Sequence, residues 1–315
     1  MSKVIGQTEP KKRMAVRRAI KKYWVLYLMA LPGLLWYLVF KYIPMPTGLI
    51  IAMEKYVPWK GLWGSEWVWF DNFKRLFESE VLWDLLKNTL LLSALSMIFA
   101  FPSSIILALL INELRCRWFK RSVQTVAYLP YFLSWAIVAG LAFNILDTNH
   151  GLLNQLLEWL GKDPVRWNAT AKYWPVIITI TKIWKECGWG TIIFLAAICS
   201  ADPGLYEAST VDGANRWQQT WNITIPAMMP TITVTFILSI GKILKEDFEM
   251  IYAMVGSNDI LWETMDVFET WVYRTSMSGT YSTPAAMSLL QNIVTFFLVW
   301  GANTWARRRD QASVW

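Results

Sequence analysis

A window of about 20 residues, the length that crosses about 30 Å of hydrocarbon at 1.5 Å per residue, picks out apolar runs along this chain. They cover residues 23–43, 85–112, 123–146, 173–200, 228–254 and 284–306. Short charged or Gly- and Pro-containing segments separate them, so the pattern predicts an all-α, polytopic membrane protein with six transmembrane helices. Pro44 and Pro46 stand just past the first run, which either ends there or kinks and continues to Met53. That run is long and no small-x-small cleavage site follows it, so it is expected to remain as an anchor.

Composition agrees with the pattern: 55% of the 315 residues are hydrophobic and 21 are Trp, far more apolar than one soluble core requires. The net charge of +7 resides in short blocks beside the apolar runs, which fits orientation in a bilayer better than nucleic-acid binding. Lys and Arg crowd the arm 1–22, the connection holding Arg115, Arg117, Lys120 and Arg121, and the tail 307–315 with Arg307, Arg308 and Arg309. These segments share one side of an even-numbered topology, so both termini are expected in the cytoplasm. Cys116, Cys187 and Cys199 lack CxxC spacing and read as packing thiols, and the single histidine, His150, has no second ligand nearby, so no bound metal or cofactor is expected.

The connection "EASTVDGANRWQQTWNITIP", residues 207–226, falls on the cytoplasmic side by parity. Pro203 and Gly204 break the chain before it, Glu207 suits a helix N-terminus, and Gly213 permits a positive φ that ends a first short helix. Trp217 and Trp221, four apart, share one face of a second short helix that Pro226 is expected to stop. Read from the residues alone, this helix–turn–helix either caps two spans or serves as a docking element.

Glu207-Ala208-Ser209, Asp212-Gly213-Ala214 and Ile223-x-Ile225-Pro226 resemble, at matching spacing, the EAA loop of binding-protein-dependent ABC importer permeases. Ser209 in place of the second Ala and Ile225 in place of Leu are the departures. "LPGLLWYLVFKYIPM", "NFKRLF" and "KIWKECGWGTIIFLAAICSADPGLYEAS" extend the likeness over nearly the whole chain, toward the carbohydrate and polysaccharide subfamily. The resemblance implies the type I importer architecture, with a permease domain over residues 23–306 and a coupling loop at 203–226 that seats in a cytoplasmic ATPase. It further implies a heterodimer with a second, different permease, two ABC ATPase subunits, an extracellular solute-binding lipoprotein and a bacterial cell-membrane location. Glu207 is assigned polar contact with the ATPase and Gly213 the turn. No GxxxxGK[ST] phosphate loop occurs, since Gly161-Lys162 and Gly241-Lys242 are followed by Asp and Ile; ATP and Mg therefore belong to the partner ATPase, and the chain is not itself an enzyme.

Two charged sets inside the spans repeat one spacing. Lys182, Lys185, Glu186 and Trp189, with Trp184 beside them, and Lys242, Lys245, Glu246 and Glu249 fall at i, i+3, i+4 and i+7, which predicts two polar helix stripes. Charges inside a span cost about 2.5–3.5 kcal/mol each on insertion scales, so these residues either pair to hold the bundle together or line a pathway for sugar hydroxyls or a uronate. Trp59, Trp63, Trp67 and Trp69, in an outward connection, read as an interfacial belt in preference to a sugar or binding-protein surface. Three function classes compete: ATP-driven transport of oligosaccharides or glycosides, with a non-sugar solute as its alternative; a membrane-embedded glycan or lipid transferase; and an ion-coupled secondary carrier, which would show repeat halves with broken spans that this chain lacks. The transferase lacks a convincing His, Cys or carboxylate pair.

Overall fold

A computed structural model of the chain describes residues 22–245, 248–256 and 258–308, and they are mostly helical. In chain order, α1 (Trp24–Tyr37) passes through a π turn into α2 (Met45–Met53), so the first run does continue past Pro44 and Pro46. A two-stranded antiparallel hairpin, β1 (Glu54–Lys55) and β2 (Glu66–Trp67), follows, and its tip leaves Trp59 and Trp63 almost fully exposed. Next come α3 (Asp71–Glu78), α4 (Glu80–Leu95), α5 (Phe101–Glu113), α6 (Arg117–Tyr128), α7 (Trp135–Ile145), α8 (Leu152–Trp159) and α9 (Trp174–Cys199). The segment 203–226 holds α10 (Pro203–Val211) and α11 (Arg216–Gln219); then follow α12 (Ile225–Ile240), α13 (Phe248–Val255), α14 (Asp259–Met265), α15 (Phe268–Met277) and α16 (Ser282–Arg308).

Among the described residues four helical runs are long and apolar enough to cross a membrane: Trp24–Met53, Glu80–Glu113, Arg216–Ile240 and Ser282–Arg308. Two bent pairs would bring the number up to six if each is counted as one span, and one of them corrects the expected third span. Arg117–Phe132 and Trp135–Ile145 meet at 101°, because the buried Pro130 tightens the backbone into a 3₁₀ turn and Ser134 starts a new helix by accepting from Ile137 N. The expected fifth span is also not one helix. Its apolar residues continue, but α12 ends at Gly241, and α13 begins only at Phe248. Side chains from two other spans take the freed carbonyls, Ser93 Oγ donating to Ile243 O and Gln291 Nε2 to Leu244 O. Irregular backbone at membrane depth is tolerated where protein supplies such partners.

Buried residues gather in three clusters. One joins α7, the start of α9, α13 and α14 around Trp174 and Met254; a second joins α2–α4, α15 and α16 around Leu85 and Met287; a third joins α5, the end of α9 and α12 around Phe194 and Met228. The long helix α9 is common to the first and third. It lies so close to α6 that a Cβ on Gly188 would sit 2.0 Å from Ala127 O, which only glycine avoids. Every residue of α1, by contrast, is exposed.

Glu54, just past α2, is the odd group of the second cluster's rim. Its side chain is fully buried, neither carboxyl oxygen has a hydrogen-bond partner, and burial pushes its pKa up. Its backbone is held firmly, since Asn72 Nδ2 donates to both Ala52 O and Glu54 O at 2.9 Å. A carboxyl with a raised pKa binds its proton more tightly when folded. Its contribution is therefore intact below the ordinary value of about 4.3 and is lost as pH rises through the raised value. Glu54→Met should raise the Tm of the purified protein at pH 8 and do so less at pH 5; an equal or opposite shift at the two pH values would show that this carboxyl bears no such penalty.

Candidate functional site

Two places bring polar side chains together, a cavity among the spanning helices and the helical loop between α9 and α12. The cavity encloses about 500 Å³. Lys182, Glu186 and Trp189 reach it from α9, and Lys242 and Lys245 from the unwound segment after α12. The polar part of the remaining wall comes from Ser93 and Ser96 near the end of α4, Ser104 on α5, Tyr131 at the bend between α6 and α7, and Thr235 and Ser239 on α12, and the rest is apolar, Met97, Phe101 and Ile193 among it. Tyr131 and Trp189 stack with ring centroids 4.5 Å apart and planes 4° from parallel.

The rest of the expected stripes goes elsewhere. Lys185 is buried behind the cavity wall: its Nζ donates to Tyr131 O at 3.1 Å and lies 5.1 Å and 4.8 Å from the ring centres of Tyr131 and Trp135. That cation pins the bend between α6 and α7, because a carbonyl and two ring faces replace its water. Trp184 is exposed on another side of α9, and Glu249 sits on the open side of α13. Glu246 lies outside the described residues, as does Arg309 of the basic tail. The second stripe does not exist as a helical row, since Lys242 and Lys245 stand in a turn and Glu249 in the next helix. Thr235 and Ser239, at i and i+4 on α12, do share a helix face, and both line the cavity together with Lys242 just beyond the helix end. Average hydropathy hid the hydroxyl residues, whose spacing was the available signal.

The loop starts with Asp202, whose carboxylate caps α10 by accepting from Gly204 N at 2.9 Å. Glu207 is consequently mid-helix, exposed, and not at the N-terminus that the sequence suggested. Gly213 has φ +81°, and the turn closes with Gly213 N donating to Thr210 O and Ala214 N to Ser209 O at 2.9 Å. Asn215 and Gln218 form a reciprocal capping box that starts α11. The buried Gln219 amide then donates to Ser209 Oγ and Thr210 Oγ1, both at 3.0 Å, so the Ser that replaces the second Ala of the motif is bonded across the turn. Arg216 pairs with Glu113 at the end of α5 at 3.8 Å, which ties the loop to the connection between α5 and α6.

Pro226 does not stop α11. A π turn, Thr220–Thr224, joins α11 to α12, and its wider winding relieves the clash between the proline ring and the preceding carbonyl row. Val211, Trp217 and Trp221 stay exposed, the two indoles 5.8 Å apart, so the loop presents an apolar face that is uncovered among the described residues. Among the described residues no group of three His, Cys, Asp or Glu side chains is placed to hold a metal ion.

Comparison with known proteins gives this geometry a context. Residues 100–300 match the family model described as binding-protein-dependent transport system inner membrane component. Protein LplB of Bacillus subtilis (strain 168) is 42% identical, with 97% of this chain and 98% of that protein covered. The polygalacturonan/rhamnogalacturonan transport system permease protein YteP of the same strain is 40% identical, covering 99% and 96%. A crystal structure of a bacterial ABC transporter involved in the import of the acidic polysaccharide alginate superimposes with a TM-score of 0.85 at 39% identity, covering 93% of this chain and 99% of that one.

Proposed function

Because this chain belongs to the family of binding-protein-dependent transport system inner membrane components, we propose that it is the permease subunit of an ATP-driven importer of oligosaccharides, acidic ones in particular. The observation that carries the reading is the cavity in which Lys182, Lys242 and Lys245 meet a stacked Tyr131–Trp189 pair and several hydroxyls. Ammonium groups attract carboxylates, hydroxyls and amines exchange hydrogen bonds with sugar hydroxyls, and indole or phenol faces accept the apolar side of a pyranose. The family relatives named for galacturonan and alginate make polyuronate fragments the chemical class of choice.

In this reading the chain crosses the membrane six times: α1–α2, α4–α5, α6 with α7, α9, α11–α13 and α16. Even parity and the basic arm 1–22 and tail 307–315 put both termini in the cytoplasm of a bacterial cell, the permease domain being residues 23–306. The loop at 203–226 then faces inward, where Val211, Trp217 and Trp221 meet one of two ABC ATPase subunits, and Glu207, Ala208, Ser209, Asp212, Gly213 and Ala214 form the seated helix and turn. ATP and Mg act on those subunits. The exposed α1 leaves a face open to lipid or to a second, different permease, and an extracellular solute-binding lipoprotein delivers the sugar. Tagged chain purified from native membranes should bring a distinct permease and an ATPase with it. In proteoliposomes the ATPase rate should rise when a binding protein loaded with an oligouronate is added. A complex that answers only to a non-sugar solute would falsify this reading.

A further inference from the structure

Phe248, Tyr252 and Tyr273 form a three-ring cluster that the cavity does not include. Phe248 and Tyr252 stack at 5.2 Å with planes 20° apart, and Tyr273, from α15, meets them at 5.0 Å and 5.1 Å. Both tyrosines keep more than a third of their surface open. The cluster begins three residues beyond Lys245, the last cavity-lining residue of the unwound segment. It lies on the side of the break away from the coupling loop. The face of α13 opposite the cluster packs beside Trp174 at the start of α9, whereas the loop follows the far end of that 26-residue helix, about 39 Å away at 1.5 Å per residue.

Lipid is a poor cover for this surface. On α13 the buried residues are Met250, Ile251, Met254 and Val255, and the opposite face carries Phe248, Glu249 and Tyr252. A carboxylate on that face disfavours hydrocarbon and favours water or a polar ligand. Aromatic faces bear negative charge density and attract polarised C–H groups, and a tyrosine adds a hydroxyl at the ring edge. A pyranose offers the matching surface, with one C–H-rich face bordered by hydroxyls.

We propose that Tyr252 and Tyr273, backed by Phe248, are a sugar-stacking subsite that receives a pyranose ring on the far side of the cavity from the coupling loop, before or while its neighbour occupies the lysine-lined cavity. Glu249 at the edge of this platform accepts hydrogen bonds from sugar hydroxyls. The inference rests on the oligosaccharide-import reading and adds a second contact point, so that a sugar chain spans both.

The test uses the complete transporter in proteoliposomes with an oligogalacturonate as probe, measuring sugar imported per ATP hydrolysed. Tyr252→Ala and Tyr273→Ala should each lower that ratio by about fivefold, the worth of one aromatic contact, with binding-protein-stimulated ATPase retained. Tyr252→Phe and Tyr273→Phe, which keep the ring, should stay near wild type. If the Ala variants are poorly made, Tyr252→Leu replaces them, since it keeps apolar bulk without a π face. Wild-type ratios in the Ala or Leu variants overturn the platform while leaving the import reading intact. Phe variants as impaired as Ala overturn it also, because stacking would then not be the interaction. A wild-type complex that imports no oligosaccharide overturns both.

Discussion

Gly213→Val should abolish sugar uptake while the chain still reaches the membrane in normal amount. Gly213 holds φ +81°, a conformation in which a β-branched side chain collides with its own backbone, at a cost of roughly 1–3 kcal/mol. No neighbouring atom lies within 4 Å of where a Cβ would stand, so the penalty is purely conformational and falls on the turn alone. The turn sets the angle between α10 and α11. Its closing bonds run from Gly213 N to Thr210 O and Ala214 N to Ser209 O, and the Gln219 amide holds the same two residues from the other side. Relieving the strain would misplace Trp217 and Trp221 relative to Glu207 and leave the spanning core untouched. A graded series makes the cause visible: Gly213→Asn should retain most transport because Asn tolerates positive φ, Gly213→Ala less, and Gly213→Val none. Uptake is compared with the amount of chain in washed membranes and with binding-protein-stimulated ATPase. Equal transport by the Asn and Val variants would show that the backbone angle at this position does not govern coupling.

The turn at Gly213 was readable because a positive φ is a local demand that one residue type answers. The membrane runs were readable for a similar reason, since burial in lipid requires an uninterrupted apolar length. The break after Ile240 was not. Ile243, Leu244, Phe248, Met250 and Ile251 carry the apolar signal straight across it, and what unwinds the helix is remote, Ser93 on α4 and Gln291 on α16 taking its carbonyls. Gly241 and the charges of Lys242, Lys245, Glu246 and Asp247 were the local hints. Lys185 failed differently: its spacing placed it on the same stripe as Lys182, but Tyr131 and Trp135 from another element enclose it. Helical spacing tells which residues share a face of their own helix, and the neighbours decide whether that face meets a cavity or a packed wall. Pro226 shows the limit of a rule about single residues, because a π turn upstream lets the helix pass a proline expected to end it.

Removing the cavity's positive charge should lower transport of an acidic oligosaccharide by more than tenfold in the triple variant Lys182→Gln, Lys242→Gln and Lys245→Gln, and by less in each single one. Tenfold corresponds to about 1.4 kcal/mol, modest for three ammonium groups lining one cavity that receives a carboxylate. Gln keeps length and hydrogen-bonding capacity, so the loss reads charge and not cavity size. Lys242→Arg and Lys245→Arg, which keep the charge, should restore most of the activity. Salt provides an independent check: between 50 and 500 mM salt, wild-type transport should fall as the attraction is screened, whereas that of the triple variant should not, because the charge left in its cavity wall, Glu186, repels an acidic sugar. Ion pairing that merely braces the bundle predicts another pattern. Lys245 and Glu249 flank the start of α13, and if their attraction were structural, Lys245→Ala with Glu249→Ala would recover part of what either single change loses. A pathway role predicts that the double variant transports no better than the worse single one, with assembly and basal ATP hydrolysis unchanged. Recovery in the double variant, or a triple variant that imports oligogalacturonate at the wild-type rate per ATP, would remove the lysines from the pathway and leave the stacked Tyr131–Trp189 pair and the hydroxyls as its remaining recognition elements.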